Sequence, residues 1–271
     1  MLHDIAYAKV NLCLHITGQR DDGMHLLDSV VVFPEIGDLL TAEISEELSL
    51  VVSGPFGAGL VGDNLILQAA RLMGVTAKLH LTKNLPIASG IGGGSADGAA
   101  SIRLLSELTA SPRPSLHELS ALSADIPVCL LQKPTRMQGI GETLSPLPAL
   151  PTFWIVLVNA GQEVNTGQVF RKMTKRDHPP MTIPAGFLNF ESFITFLSRQ
   201  RNDMQSAAIA TCPIITEVLA AIESTQDCAF VRMSGSGGTC FGLYETEAAA
   251  TTAATQIQAD HPEWWAVSAK V

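Results

Sequence analysis

Charge is scarce in this 271-residue sequence, at 16% of residues, and aromatic side chains are scarcer still, at 6%. What charge there is leans acidic: 17 Lys and Arg stand against 26 Asp and Glu, a formal net charge of -9. A chain of that sign has no general attraction for a phosphate backbone, so nucleic acid is not an expected partner. Any anionic ligand must be held locally, by backbone amides, a helix N-terminus or a metal ion. Long apolar runs are missing too. The longest, Phe153 to Val158, falls far short of the roughly 18 residues of a membrane span, and Asp4 and Lys9 interrupt the N-terminus where a secretory signal needs its apolar stretch. The expectation is a cytoplasmic protein with no membrane partner. The five cysteines are odd in number and never stand as Cys-x-x-Cys, which argues against a disulfide framework or a zinc site and leaves buried thiols.

What is present is a core. Hydrophobic residues make up 46% of the chain, enough for one large domain or two ordinary ones. Ala8 to Ile16 alternates, with Val10, Leu12, Leu14 and Ile16 on one face and Lys9, Asn11, Cys13 and His15 on the other, which is strand periodicity. Arg20-Asp21-Asp22-Gly23 is turn chemistry, and Leu26 to Phe33 returns as a second strand. A strand at Ala77 to Lys83 leads through a glycine loop into a helix carrying Ala99, Ile102, Leu105 and Leu108. Ser115-Leu116-His117-Glu118 is a capping box for a helix expected to stop before Pro127, with Asp125 at its C-terminal margin. Pro146, Pro148 and Pro151 crowd the best candidate for a domain boundary. Beyond it, Trp154 to Val158 reads as a buried strand, and Thr166 to Met173, Pro213 to Ser224 and Thr246 to Gln258 as helices. Strands should flank the Ser234 to Gly238 turn, and Trp265 to Val271 closes the chain in extended form. A hairpin start with interspersed strands and helices favours an α+β class.

Gly90, Gly92, Gly93, Gly94 and Gly98 put five of the chain's 22 glycines into nine positions, where a chance spread would place fewer than one. Backbone that must approach an anion closely, with a helix N-terminus behind it, needs residues without Cβ and free to take positive φ. A nucleotide polyphosphate fits. The spacing is neither a Walker loop nor a Rossmann turn.

Together with Ala8-Lys9-Val10-Asn11-Leu12, Asp22-Gly23-Met24-His25, Asp63-Asn64-Leu65, Ala124-Asp125-Ile126-Pro127, Gly139-Ile140-Gly141-Glu142, Thr166 with Val169-Phe170, Asn202-Asp203 and Met233 to Phe241, this loop makes the chain similar to the GHMP kinase superfamily over nearly its whole length. The Lys-x-Asn strand, the Asp-Gly-x-His turn and the Ala-Asp-x-Pro segment resemble the branch that acts on a cytidine diphosphate sugar alcohol of the non-mevalonate isoprenoid route. The resemblance implies a transferase: an ATP- and Mg2+-dependent small-molecule kinase of α+β GHMP fold, monomer or homodimer. A ribosomal-S5-like ATP-binding domain over 1–150 and a ferredoxin-like domain over 151–271 are implied with it. By position it implies Lys9 and Asp125 as the catalytic pair. ATP would be held by Asn64, Leu65 and Lys83 on the adenine side and by Pro86, Ile87, Ala88, Ser89, Gly90, Ile91, Gly92, Gly93, Gly94, Ser95 and Ala96 along the loop. The substrate would meet Asn11, Met24, His25, Thr166 and Phe170. Asp125 would take the proton of the attacking hydroxyl, and Lys9 would favour its ionised form and steady the developing alkoxide.

Four residues depart from that pattern. Met24 stands where an aromatic residue is usual, so half of a cytosine sandwich with Phe170 is altered. Ser123 replaces a glycine, and Ala96-Asp97 replaces a serine and a small residue. Asp97 puts a negative charge near the phosphates, which is tolerable if it faces Mg2+ or solvent. Read without the resemblance, each site residue has a plainer role: Asp125 a turn residue, Lys9 a solvated strand charge, His25 a hydrogen-bonding histidine and Phe170 core. Two other functions compete, a GHMP kinase of homoserine or mevalonate type and a nucleotide-binding relative without catalysis.

Overall fold

The computed structural model describes residues 1–60 and 62–271. Its strands are β1 (Leu2–Tyr7), β2 (Val10–Gln19), β3 (His25–Val32), β4 (Gly37–Ile44), β5 (Ser49–Ser53), β6 (Ala77–Thr82), β7 (Thr135–Gly139), β8 (Thr143–Pro146), β9 (Trp154–Asn159), β10 (Phe230–Met233), β11 (Thr239–Tyr244) and β12 (Trp265–Lys270). Its α-helices are α1 (Leu65–Leu72), α2 (Gly93–Thr109), α3 (Leu116–Leu122), α4 (Ile126–Leu131), α5 (Thr166–Lys172), α6 (Phe190–Ser198), α7 (Gln205–Thr211), α8 (Ile214–Glu223) and α9 (Glu247–Asp260).

By packing the chain falls into two compact units, each assembled from separated stretches. The first takes residues 1–9, 36–87 and 92–132, and the second takes 10–35, 88–91 and 133–271. This division differs from a single cut at 150/151. β3 pairs with β7 and β7 with β8, so the early hairpin is joined by ladder hydrogen bonds to strands beyond residue 133. The proline-rich stretch after β8 lies inside the second unit, without regular structure up to β9.

The first unit is a four-stranded sheet in the order β1-β4-β6-β5, with α2 packed on β1 and β4 and α1 and α4 packed on α2. Along β6, Ala77, Leu79 and Leu81 are buried while Lys78 and His80 are exposed, the alternation of a sheet with one covered face. The second unit holds two antiparallel sheets, β2-β3-β7-β8 and β10-β11-β9-β12. In the latter, β9, α8, β10, β11, α9 and β12 form a ferredoxin-like βαββαβ path, with its first strand between the third and fourth. Val156, Val158, Val218, Ile222, Ala253 and Ile257 lie in the core between that sheet and its helices.

Two local readings are corrected. The early strand begins at Val10, not Ala8, because β1 precedes it and Ala8 and Lys9 form the connection. Strand alternation therefore does not set the direction of Lys9. The strand is also buried on both faces from Val10 to Ile16, and Asn11 Nδ2 finds an internal partner there, donating to Ser29 Oγ at 2.7 Å. The helix opened by Ser115 ends at Leu122, and Asp125 is the N-cap of the next helix, with Pro127 in the first turn. Proline is accommodated there because a first-turn N–H has no partner within the helix.

Candidate active site

In the first unit the Lys9 ammonium lies 2.8 Å from Asp125 Oδ2, with the lysine side chain 7% exposed and the carboxylate 31%. The Asp125 side chain makes no capping bond to α4, since it is turned to Lys9 instead. Ser123 joins this corner: its hydroxyl is 2.9 Å from Ser95 Oγ and accepts from Asp125 N–H. The serine standing in place of a glycine thus ties the start of α2 to the turn bearing Asp125.

The glycine run has two structural causes. Of its five members only Gly90 and Gly92 have positive φ, at 75° and 65°, the left-handed region that a Cβ disfavours. Gly92 is the N-cap of α2, and a Cβ there would lie 3.0 Å from Lys9 Cβ, so the bare backbone lets the helix start pass against the lysine stem. Gly93, Gly94 and Gly98 are helical and owe their place to close approach or open space. A Cβ on Gly98 would meet Leu65 Cβ at 3.0 Å, whereas one on Gly94 would meet nothing within 4 Å. The amide end of α2 is therefore open at Gly94, a fitting seat for phosphate oxygens.

Lys83 is 2% exposed, and its ammonium is taken up by Asp38 at 2.5 Å and Asp97 at 2.7 Å. Asp97 faces neither solvent nor an open metal site, as its departure from the family pattern suggested, because a buried lysine compensates it. Asp38 had no sequence signal: a lone aspartate on a strand looks like any edge charge. Its second oxygen accepts from Asn84 and Leu85 N–H at 2.6 and 2.8 Å, fixing the chain where it leaves β6. Asn64 caps α1 by accepting from Ile66 and Leu67 N–H.

In the second unit, Ser234 to Gly238 packs against residues 88–91. Thr239 N–H donates to Ser89 O, Ser234 Oγ donates to Gly90 O, and a Cβ on Gly90 would fall on Gly237 O. Asn202 Nδ2, which the sequence placed only within a matching segment, holds this turn through Met233 O and Gly235 O. Asn11 N–H donates to Ser234 Oγ at 3.1 Å. At the first residue of α5, Thr166 Oγ1 lies 2.7 Å from Ser236 Oγ. His25 stacks on Phe170 with ring centroids 4.0 Å apart and planes 12° from parallel. Burial, and then the charge of Arg176, hold His25 below the usual histidine range, so the ring is neutral near pH 7, and its Nε2 is buried without a hydrogen-bond partner. Met24 is 44% exposed.

The five cysteines are unpaired and four are buried. Among the described residues no helix is long and apolar enough to cross a membrane, and no three His, Cys, Asp or Glu side chains gather as a metal cage.

Family models for the GHMP kinases N terminal domain and the GHMP kinases C terminal match residues 64–134 and 187–263. A 4-diphosphocytidyl-2-C-methyl-D-erythritol kinase from Cereibacter sphaeroides is 50% identical over 277 aligned positions, covering 100% of this chain and 99% of the relative. A crystal structure of 4-(cytidine 5'-diphospho)-2C-methyl-D-erythritol kinase superposes with a TM-score of 0.79 at 30% identity, covering 98% of each chain. A homoserine kinase from Cytophaga hutchinsonii superposes with a TM-score of 0.63 at 14% identity, covering 99% of this chain and 93% of that one, which is a likeness of fold alone.

Proposed function

The chain belongs to the GHMP kinases, in the family of the 4-diphosphocytidyl-2-C-methyl-D-erythritol kinases, and from that premise we propose how its residues divide the work. The reaction is ATP-dependent phosphorylation of 4-diphosphocytidyl-2-C-methyl-D-erythritol in isoprenoid precursor synthesis. We assign the acceptor as its 2-hydroxyl. The oxygen of that hydroxyl forms a bond to the γ-phosphorus of ATP, the bond from that phosphorus to the bridging oxygen breaks, and ADP leaves. Asp125 receives the hydroxyl proton, and Lys9 stabilises the charge on the reacting oxygens. The observation that carries this reading is the 2.8 Å Lys9–Asp125 pair, with Lys9 against the N-cap of the glycine-rich helix.

The open amide end of α2 at Gly94 is the phosphate seat, and residues 92–96 line the nucleotide, with Asn64 and Leu65 towards the base. A divalent cation supplies neutralisation of phosphate charge when bound with ATP. With no cage of three His, Cys, Asp or Glu side chains among the described residues, Mg2+ would be held mainly by the phosphates it arrives with.

For the cytidine end, the neutral His25 with its unpartnered Nε2 and the Phe170 face are suited to a base, and Asn11 and Thr166 to the polar remainder. Phe170→Ala is expected to raise KM for the cytidylyl substrate about tenfold, the scale of one base–aromatic stack, with kcat and KM for ATP within about twofold. Met24→Tyr should lower the same KM several-fold by offering a larger stacking surface. The deciding experiment is a phosphoryl-transfer assay with ATP, Mg2+ and a panel of the cytidylyl sugar alcohol, homoserine and mevalonate. Turnover of either small acid in preference to the cytidylyl compound overturns the substrate assignment.

A further inference from the structure

Lys83 has two carboxylates for one ammonium. Asp38, Lys83 and Asp97 are all buried, at 0%, 2% and 4% side-chain exposure, so with all three ionised one surplus negative charge is enclosed. Asp97 is where the surplus resides. Asp38 is satisfied by Lys83 and two backbone N–H groups, whereas Asp97 receives Lys83 on one oxygen and its Oδ1 is buried with no partner. The triad lies directly under the first turn of α2: a Cβ on Gly93 would sit 3.2 Å from Lys83 Nζ and 3.9 Å from Asp38 Oδ2. Asp97 itself is four residues beyond Gly93, about 6 Å along the helix axis. An enclosed charge at that range acts on an anion at the helix end with little screening.

We propose that Asp97 is a positioning residue that sets the strength of nucleotide binding: through the Asp38–Lys83–Asp97 triad it holds the start of α2, and its carboxylate charge opposes the triphosphate there. Lys83 then acts on ATP through the helix and not by direct contact. The proposal rests on the reading that α2 seats the phosphates.

Burial, offset by the Lys83 charge and reinforced by Asp38, pushes Asp97 up to about 7. Lys83 is itself raised, since its two carboxylate partners outweigh burial. The elements packed on α2 bring other charged and titratable groups: Arg71 on α1, His3, Asp4 and Tyr7 on β1, Cys129 on α4 and Glu43 on β4, with Arg103 and Glu107 on α2 itself. Arg71 pairs with Asp63, Arg103 with Asp4 and Glu43 with Lys78. Lys83 donates to Asp97, and Lys83 and Asp38 are the two groups whose charges and hydrogen bonding shift it. Because the carboxyl is raised in the folded protein, its contribution to stability is full below about pH 4 and is lost as pH rises through about 7.

The test compares Mg-ATP binding by the natural protein and Asp97→Asn, by calorimetry from pH 6 to pH 8.5. Ionisation of ATP moves both proteins alike, so the ratio of their dissociation constants isolates Asp97. That ratio should be near one at pH 6 and rise to about three- to tenfold in favour of the variant at pH 8.5, with a midpoint near 7. The variant, without nucleotide, should gain in Tm over the natural protein between pH 4 and 7 and hold the gain above. A second measurement needs no variant: the Asp97 carboxyl carbon resonance of the natural protein should titrate near neutrality, with its midpoint moved upward by Mg-ATP. A ratio flat across pH, or a carboxyl midpoint unmoved by Mg-ATP, overturns the proposal while leaving the phosphate seat standing. Failure of both proteins to bind ATP at any pH overturns the seat and the proposal together.

Discussion

Asp125→Asn should fold, bind ATP with an affinity within about threefold of the natural protein, and lose about 10² to 10⁴ in turnover, the range for removing a positioned general base. The amide keeps an oxygen for Lys9 but cannot take the substrate proton. Replacing a charged acceptor by a neutral one beside an ammonium that is only 7% exposed should also cost about 1 to 2 kcal/mol of stability, visible as a Tm a few degrees lower. The pair is partly open on the carboxylate side, which keeps that cost below the penalty for a fully enclosed charge. Turnover and Tm measured on one preparation separate chemistry from unfolding. Turnover near the natural value removes Asp125 from the role of base.

Valine at Gly94 and valine at Gly92 should fail in different ways. At Gly94 the new side chain enters space with no atom within 4 Å of its Cβ, so Tm should hold within a degree or two. The isopropyl group then occupies the phosphate seat, and ATP affinity should fall at least about tenfold. At Gly92 a φ of 65° and the Lys9 stem 3.0 Å from the new Cβ impose both backbone strain and a clash. About 1 to 3 kcal/mol of stability should be lost, and turnover should fall because Lys9 is pushed aside. Gly93 is the wrong place for this test, since a side chain there points at Lys83 and disturbs the triad. Measuring the ATP-induced rise in Tm for each variant decides the matter. A full rise in Gly94→Val means the phosphates bind elsewhere.

Elements whose signal is local were legible in the sequence. β6 alternates because one face of its sheet is covered, and the α3 start declares itself through the reciprocal bonds of Ser115 and Glu118. The dense glycines announced a backbone approached closely, and the motif spacing announced a GHMP kinase. β1, β4, β5, β7, β8, α1, α4, α6 and α7 went unread, being short segments whose apolar residues do not repeat long enough to separate strand from helix.

By itself, then, the sequence determined the class of chemistry, because chemistry depends on residue types at fixed spacing. Only the tertiary structure decided which of those residues meet. Lys9 and Asp125 are 116 positions apart, and no periodicity could bring them to 2.8 Å. Asp38 and Lys83 are 45 apart, and whether Asp97 faces solvent, metal or a buried ammonium is a matter of burial, not of local pattern. The units themselves follow pairing and not chain order: β2 and β3 belong with β7 because open ladder hydrogen bonds must be closed by whichever strand the fold delivers.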